Sequence, residues 1–411
     1  MQVLKSKIIQ IQGIKIIFIN NPVFTSTTLG LTLKIGSAND FKGKSGCIFI
    51  LMHLIFFSYS NKSRMDEIIA CGVKIKYKIE KEYSYIFFED TFHNYKKIMS
   101  LLLEIVNNLD FSEEELEEAK KMAEYYSKKH NENIENFIIH SICENIFTRQ
   151  VIGKSPYGKE KTINNIKKQD ILDYYKKYFH KGNYYLLIST PYSYKEITSD
   201  LENIINKNTQ ILSNSYKELL NTNILFTAFK KYIYHKKEKN IYKHTKLTTL
   251  CLTFPISGAR EYQQHIYHEI IKELLQEKIY TKLIAIKNNL TVNYIKYNSI
   301  GFFYIYINIY DKSKILDCYN ELIYQIQNIS INNTDIENIK NKIIQNNNYI
   351  INNSLNTAID TSNHMLNVRK TKKYLFDYEI IRIINCDSIL SLINNIFVNS
   401  PISKFIIGTK K

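Results

Sequence analysis

The stretch Gly46-Cys-Ile-Phe-Ile-Leu-Met-His-Leu-Ile-Phe-Phe57 contains one polar side chain, His53, in an otherwise apolar run. An uninterrupted apolar run of this kind predicts a helix that is buried on all sides in the core of a domain. The run is too short to cross a bilayer, which takes about 20 residues. His53 is therefore either the remnant of a metal site or a histidine that lies in a core helix.

The composition restricts the class of protein. A chain of 411 residues with 45% hydrophobic content predicts a globular protein of two or three domains. The net charge of +16 comes from dispersed lysines without an Arg-rich tract, so we predict no nucleic-acid partner. A basic surface that attracts acidic peptides or anionic lipid headgroups stays open. The six cysteines include no CxxC pair, which favours buried thiols over a disulfide framework or a zinc cage.

The two halves of the sequence have the same order of predicted elements. The first half is predicted to contain strands at Ile8–Asn20 and Ser26–Ile35, helices at Gly46–Phe57 and Arg64–Cys71, a β-rich passage at Val73–Glu89, a helix at Tyr95–Asn107, a long helix after Ser112, and a helix and strand within Gln169–Ile188. The second half is predicted to contain a strand at Thr245–Phe254, a helix at Arg260–Ala285, strands at Thr291–Tyr297 and Gly301–Tyr310, a helix at Ser313–Gln327, a long helix from Asn332, and a helix and strand within Cys386–Ile407.

This repetition predicts an α+β protein of two similar domains. Each domain is expected to hold a mixed, mainly antiparallel sheet with helices packed on one face. The predicted domains are residues 1–205 and 232–411, and the polar residues 206–231 are predicted to link them.

Four segments in collinear order resemble the pitrilysin/insulinase family of zinc metallopeptidases, in its branch of bacterial and mitochondrial processing peptidases. They are Ile35–Gly46, Glu82–Glu89, Phe111–Lys120 and Ser155–Ile188. The last segment, which begins Ser-Pro-Tyr-Gly, is similar to a helix and returning strand of that family. The resemblance implies a peptidase-like fold in each half and places the family's zinc motif on the apolar helix.

The family's inverted zinc motif, H-x-x-E-H, is degenerate here. Two histidines one turn apart bind Zn²⁺ in active members, and the glutamate activates the bound water. The resemblance places Phe49 at the first histidine, Met52 at the catalytic glutamate and His53 at the second histidine. Phenylalanine and methionine replace neither an imidazole nor a carboxylate. His53 is then predicted to be a buried histidine bonded to a backbone carbonyl or a tyrosine hydroxyl.

The third ligand of active members is a glutamate on the later long helix, where this chain has Ala119. Glu117 and Glu118 are out of phase by one or two residues, which on a helix turns a side chain about 100–200° away. A metal site rebuilt with Glu118 or Glu124 is the alternative. We predict that the chain binds no zinc and does not hydrolyse peptides by the family mechanism.

Two features of the second half bear on peptide or metal binding. Active relatives use an Arg and a Tyr seven residues apart to hold substrate, and Lys287 and Tyr294 stand at that spacing here as predicted substrate-binding residues. The alternative is an exposed lysine and an ordinary strand tyrosine. His265 and His268, which is followed by Glu269, are spaced so that the two imidazoles can share a metal, but no third ligand is evident and surface exposure is expected. The glycine-rich loop of some non-catalytic relatives is absent, because Ile256–Gln263 holds only Gly258.

The leading hypothesis from this resemblance is a non-catalytic subunit that binds peptide substrates in a heterodimer with an active, zinc-bearing family member. The alternatives are a structural or assembly subunit of a larger complex, an active zinc metalloendopeptidase with a rebuilt metal site, and a decaying gene product. No signal peptide or transmembrane segment is evident, which predicts a cytoplasmic protein. The periplasm or an organelle matrix, where relatives work, stays open.

Overall fold

The computed structural model describes residues 4–91, 94–209, 231–283, 290–368, 372 and 374–409. The chain divides into two units. Unit 1 takes residues 1–137, 154–228 and 349–373, and unit 2 takes residues 138–153, 229–348 and 374–411. The predicted linker 206–231 lies mostly outside the described residues.

Each unit is built on one sheet. The six strands of unit 1 are β1 (Lys5–Ile11), β2 (Ile14–Asn20), β3 (Thr27–Leu33), β4 (Lys74–Ile79), β5 (Ser84–Asp90) and β6 (Tyr184–Thr190), in the order β1-β2-β6-β3-β5-β4. The five strands of unit 2 are β7 (Glu238–Tyr242), β8 (Thr248–Ser257), β9 (Leu290–Lys296), β10 (Ile300–Ile309) and β11 (Ser403–Gly408), in the order β7-β11-β8-β10-β9.

The strand orders show the internal repeat. Read from β2, the sheet of unit 1 runs β2-β6-β3-β5-β4, and the sheet of unit 2 runs β7-β11-β8-β10-β9 in the same sequence of relative positions. The β2–β6 and β7–β11 pairs are parallel, and the other pairs are antiparallel. The predicted fold class of two similar domains with mixed, mainly antiparallel sheets is confirmed.

The helices pack on these sheets. They are α1 (Cys47–Phe57), α2 (Tyr59–Ala70), α3 (Tyr95–Asn107), α4 (Glu113–Glu132), α5 (Ile134–Ile146), α6 (Glu160–Ile163), α7 (Lys168–Tyr178), α8 (Tyr194–Thr209), α9 (Tyr262–Leu283), α10 (Ile315–Gln327), α11 (Asn333–Ile351), α12 (Ser354–Val368), α13 (Tyr374–Ile383) and α14 (Cys386–Ile393). Ser112 and Glu115 form a capping box at the start of α4, with each side chain accepting from the other's backbone N–H.

The helix α1 is the central core helix that its composition predicts. Every residue in it except His53 and Phe57 is buried. Its start is held by the carboxylate of Asp40, which accepts hydrogen bonds from the backbone N–H of Gly46 at 2.7 Å and of Ile48 at 3.0 Å. These bonds satisfy amide groups that have no partner within the helix.

The predicted single strand Ile8–Asn20 is a hairpin of β1 and β2. The turn lies at Gln12 and Gly13, which have φ angles of 49° and 80°. Two successive residues with positive φ form the kind of tight turn that matches the twist of paired strands. The apolar alternation continues through both strands, and for this reason it did not reveal the break.

Segments from the other half of the sequence contact the sheets of both units. In unit 1, α12 packs against Ile17, Phe87 and Leu187 on the face opposite α1, and the hydroxyl of Ser354 bonds to those of Ser26 and Thr28 at 2.7 and 2.8 Å. In unit 2, Cys143 and Phe147 at the end of α5 contact Tyr297. Residues 138–153 belong to unit 2, and residues 349–373 belong to unit 1. The predicted domains 1–205 and 232–411 did not include these two crossings.

No single helix within the described residues is both long and apolar enough to span a bilayer. The segments Asp377–Ile383 and Cys386–Val398 meet the test only as a pair, and they are bent by 92°. Ile380, Ile389 and Phe397 of this pair belong to the buried core of unit 2.

Candidate functional site

The degenerate motif on α1 lines a pocket in unit 1. This motif pocket is small, with space on the scale of a water molecule, and it is open in part to solvent. Its lining comes from α1, β4 and β5, and consists of Phe49, Met52, His53, Phe56, Phe57, Tyr77 and Ile86. Apart from the imidazole and one phenol group, the lining is apolar. A lining of this composition offers few ligands to a cation.

The imidazole of His53 lies between two aromatic rings. The centroid of the Phe49 ring is 6.5 Å away with the planes nearly parallel, and the centroid of Phe57 is 5.2 Å away. The predicted bond to a carbonyl or a tyrosine hydroxyl is not found within the described part of the chain. Burial lowers the pKa of His53, while the charge of Glu118 raises it to a smaller extent. Because the net shift is downward, His53 is mainly neutral at pH 7.

The other two motif positions on α1 are filled by buried apolar side chains. Phe49 is 2% exposed and packs against Tyr126 and Tyr157 at centroid distances of 5.4 and 5.3 Å. Met52 is 3% exposed. Both residues are integrated into the core cluster of unit 1, so the positions that hold a ligand and a general base in active relatives here contribute to packing.

The face of α4 that packs toward α1 also lacks a ligand. Ala119 is fully buried in the core cluster between Leu116 and Ala123. Glu117 and Glu118 are exposed, as their helical phase predicted, and Glu117 forms an ion pair with Lys120. Glu118 interacts with His53 through its charge alone. Across the described ranges, no three His, Cys, Asp or Glu side chains are grouped so as to hold a metal. The residues at this position therefore do not fit a zinc ion.

In unit 2, ionisable side chains occupy the corresponding helix and strand. The α9–β9 cluster consists of His265, His268, Glu269, Tyr294 and Lys296. The Tyr294 hydroxyl lies 2.9 Å from Glu269 Oε2 and 3.0 Å from His265 Nδ1. Tyr294 has one hydroxyl proton and donates it to the carboxylate, so His265 must donate its Nδ1–H to Tyr294. Glu269 also bonds to Lys272.

Two groups of this cluster are buried without a hydrogen-bond partner among the described residues, Nδ1 of His268 and Nζ of Lys296. His268 is 1% exposed, so the surface exposure predicted for this histidine is wrong. Burial and the charge of Lys296 lower the pKa of His268 to about 2. Burial also lowers the pKa of Lys296 to about 7, although the charge of Glu261 acts against this. Side chains alternate between the two faces of a strand, so Lys296 lies on the same inward face as Val292. The inward position of Lys296 was therefore predictable from the sequence.

The two predicted substrate-binding residues have different outcomes. Lys287 lies outside the described residues. Tyr294 is described, and its hydroxyl is engaged by Glu269 and His265. Contact between this hydroxyl and a peptide therefore requires exchange of one of these two bonds, and the role of Tyr294 in peptide binding stays a prediction.

Comparison with known proteins finds a family model and two curated relatives that match part of the chain. Residues 15–159 match the model of the insulinase family, peptidase family M16. An uncharacterized zinc protease of Rickettsia bellii is 23% identical over 201 residues, which are 48% of this chain and 49% of that protein. A second, from Rickettsia felis, is 23% identical over 195 residues. The alignments thus span about half the length of these curated relatives.

Solved structures extend the likeness to the whole chain. A protease from Helicobacter pylori has a TM-score of 0.86 at 15% identity and covers 99% of this chain and 100% of its own. An inactive domain of peptidase M16 from Pseudomonas fluorescens has a TM-score of 0.82 at 12% identity, with 99% of each chain covered. At these identities the likeness shows the fold. Residues 15–159 therefore match the insulinase-family (peptidase M16) model, and the chain has a fold similar to those of the M16-like structures.

Proposed function

We propose that this protein is a catalytically inactive homologue of the insulinase-family zinc peptidases, and that it binds peptides as the non-catalytic subunit beside an active partner. The observation that carries the proposal is the filling of three motif positions, Phe49, Met52 and Ala119, by buried apolar side chains. Hydrolysis by a zinc-activated water needs three ligands and a general base. His53 alone supplies neither the three ligands nor the general base, so we expect no zinc to bind here.

The peptide-binding surface that we propose is the edge of the strand beside the degenerate motif. Strand β4 is the last strand of its sheet among the described strands, and it pairs only with β5. The residues from Lys74 to Lys78 are exposed. A free strand edge of this kind binds extended peptides through main-chain hydrogen bonds. We call the side of Lys74–Ile79 that faces away from β5 the β4 edge.

The hydrogen-bond pattern identifies the groups that the β4 edge presents. Glu80 donates its N–H to the carbonyl of Tyr83 at 2.8 Å, so these residues form a hydrogen-bonded pair. Hydrogen-bonded and non-hydrogen-bonded pairs alternate along an antiparallel ladder. Lys74, Lys76 and Lys78 therefore direct their amide groups toward β5. The N–H and C=O groups of Ile75 and Tyr77 point outward and are available to an incoming strand, whereas Ile79 is buried.

The substitution Ile75→Pro tests the β4 edge. Proline removes an outward N–H and adds a ring on the free side, while the bonds between β4 and β5 are retained. We expect binding of short, labelled peptides of random sequence, measured by fluorescence anisotropy, to weaken by about 10-fold or more. The matched control Ile75→Val keeps the donor and should bind as the unmodified chain does. Equal binding by both variants would show that peptides do not use this edge.

Reconstitution with an active family member tests the proposal that this chain is the non-catalytic subunit. The purified chain with added zinc is expected to show no chelator-sensitive cleavage of these peptides. Co-expression with a family member that contains an intact H-x-x-E-H motif should give a heterodimer, with cleavage that depends on the partner's motif. Robust chelator-sensitive turnover by the chain alone would overturn the proposal.

A further inference from the structure

Four neighbouring strands of unit 2 reach the same end of its sheet. The register pairs Tyr242 of β7 with Gly408 of β11 and Thr248 of β8 with Ile309 of β10, and the pairing of β11 with β8 aligns these two pairs in one row. Neighbouring strands lie about 4.8 Å apart, so β7 and β10 are about 14 Å apart at this end. We call the surface formed there by residues 242–247, 310–316 and 409 the sheet-end surface.

Hydrogen bonds join the segments of the sheet-end surface to one another. The hydroxyl of Thr409 accepts from the backbone N–H of Thr245 at 3.3 Å and donates to the Thr245 carbonyl at 2.9 Å. Lys312 Nζ donates to the carbonyl of Thr409 at 3.0 Å. The backbone N–H of Lys243 donates to the carbonyl of Gly408, also at 3.0 Å. The three segments therefore form one connected surface at the end of the sheet.

Three large side chains with apolar bodies project from this surface into solvent. Tyr242 is 61% exposed, Tyr310 is 71% exposed and Leu316 is 64% exposed. Tyrosine is enriched at the boundary between lipid and water, because its ring is apolar and its hydroxyl group stays hydrated. Exposed apolar groups gathered on one surface are typical of a site that contacts another apolar surface.

The charge of the same surface is predominantly positive. Its only carboxylate is that of Asp311, which accepts hydrogen bonds from the backbone N–H and the hydroxyl of Ser313 at 3.0 and 2.7 Å. Its segments contain no arginine, the residue best suited to bidentate binding of phosphate. They contain four lysines, Lys243, Lys246, Lys312 and Lys314. A lysine carries its charge on an apolar stem, so it places an ammonium group beside headgroups while its stem contacts apolar surface.

We propose that the sheet-end surface binds the surface of an anionic lipid bilayer. Tyr242, Tyr310 and Leu316 enter the boundary between headgroups and acyl chains, and the four lysines lie beside the anionic headgroups. A single-stranded nucleic acid also matches lysines and tyrosines, but Leu316 gains nothing from it and arginine is absent. This contact is peripheral, and it does not depend on the proposed binding of peptides.

Sedimentation with lipid vesicles tests the proposal on the full chain. We expect the chain to bind vesicles of equal parts phosphatidylserine and phosphatidylcholine about 10-fold or more tightly than vesicles of phosphatidylcholine alone. The difference should shrink at high salt, because the lysines act from the surface of the protein. Equal binding to the two kinds of vesicle at low salt would overturn the proposal.

A charge reversal locates the contact on the protein. Lys246→Glu combined with Lys314→Glu changes two exposed side chains and should weaken binding to the mixed vesicles by about 100-fold or more, because each lysine near an anionic surface contributes about 5-fold. The control pair Lys195→Glu and Lys236→Glu changes the net charge equally at exposed sites outside this surface, and it should weaken binding by about 5-fold at most. Equal losses in the two pairs would attribute binding to net charge and overturn the proposal.

Removal of the exposed apolar groups distinguishes a lipid from another polyanion. Tyr310→Ser combined with Leu316→Ser should weaken vesicle binding by about 10-fold or more at both low and high salt. The control pair Tyr324→Ser and Tyr349→Ser changes exposed tyrosines outside the surface and should bind as the unmodified chain does. Tighter binding to polyuridine than to the mixed vesicles, with the same loss in the Lys246 and Lys314 variant, would identify a nucleic-acid site and overturn the lipid assignment.

Discussion

Substituting Phe49→His together with Ala119→Glu is expected to give the chain a zinc site. The two substitutions place a second imidazole one turn before His53 and a carboxylate on the buried face of α4, which completes three protein ligands. We expect zinc affinity to rise by about 10³-fold or more over the unmodified chain. Isothermal titration with zinc, after treatment with a chelator, measures the change.

The metal-free form of this variant should be less stable. Loss of the Phe49 ring from its contacts with Tyr126 and Tyr157 costs about 3 kcal/mol, and the buried carboxylate adds to this. Zinc should recover part of the loss as a rise in the thermal midpoint. The control adds His53→Ala, which should abolish the gained affinity. A folded double variant that binds no zinc, or one whose affinity is unaffected by His53→Ala, would show that the motif positions are assigned wrongly.

Replacing Lys296 by methionine is expected to stabilise the protein in a pH-dependent way. The amine of Lys296 is buried without a hydrogen-bond partner among the described residues, and its pKa is lowered from 10.5 to about 7. Between these values the unfolded chain binds a proton that the folded chain does not, so the free energy of unfolding rises with pH across this range. Below pH 7 the folded protein bears the full cost of the buried charge.

We therefore expect Lys296→Met to raise the free energy of unfolding by up to about 4 kcal/mol near pH 6, and by progressively less toward pH 10. Methionine keeps the apolar stem that packs near Tyr294 and His268. Chemical denaturation at several pH values, compared with the exposed control Lys121→Met, measures the difference. A destabilised Lys296→Met variant, or a difference in the free energy of unfolding that does not vary with pH, would contradict this interpretation. The Lys296 amine would then not bear a cost of burial without a hydrogen-bond partner.

The local structure of the chain was largely predictable from its sequence. The apolar run at Gly46–Phe57 predicts a core helix because it has no polar face, and α1 is buried except at His53 and Phe57. Ser112 and Glu115 have the spacing of a capping box, and α4 starts there. The motif positions Phe49, Met52 and Ala119 come from the family resemblance, which requires no knowledge of tertiary contacts.

Features that depend on distant parts of the chain were not predictable in this way. Helical periodicity in α12 shows that one face is apolar, but it does not show that this face packs on the sheet of the other half. The pocket beside His53 depends on Tyr77 of β4 and Ile86 of β5, which are distant from α1 in the sequence. Lys296 stands at an inward strand position, yet its burial depends on α9, which begins more than 30 residues earlier.

The zinc content of the unmodified chain, purified without a partner and analysed by mass spectrometry of its metals, tests the central claim most directly. The apolar packing of Phe49, Met52 and Ala119 around His53 predicts well under one zinc ion per chain, with no change when His53 is replaced by alanine. One tightly bound zinc ion per chain, lost on His53→Ala, would contradict the account.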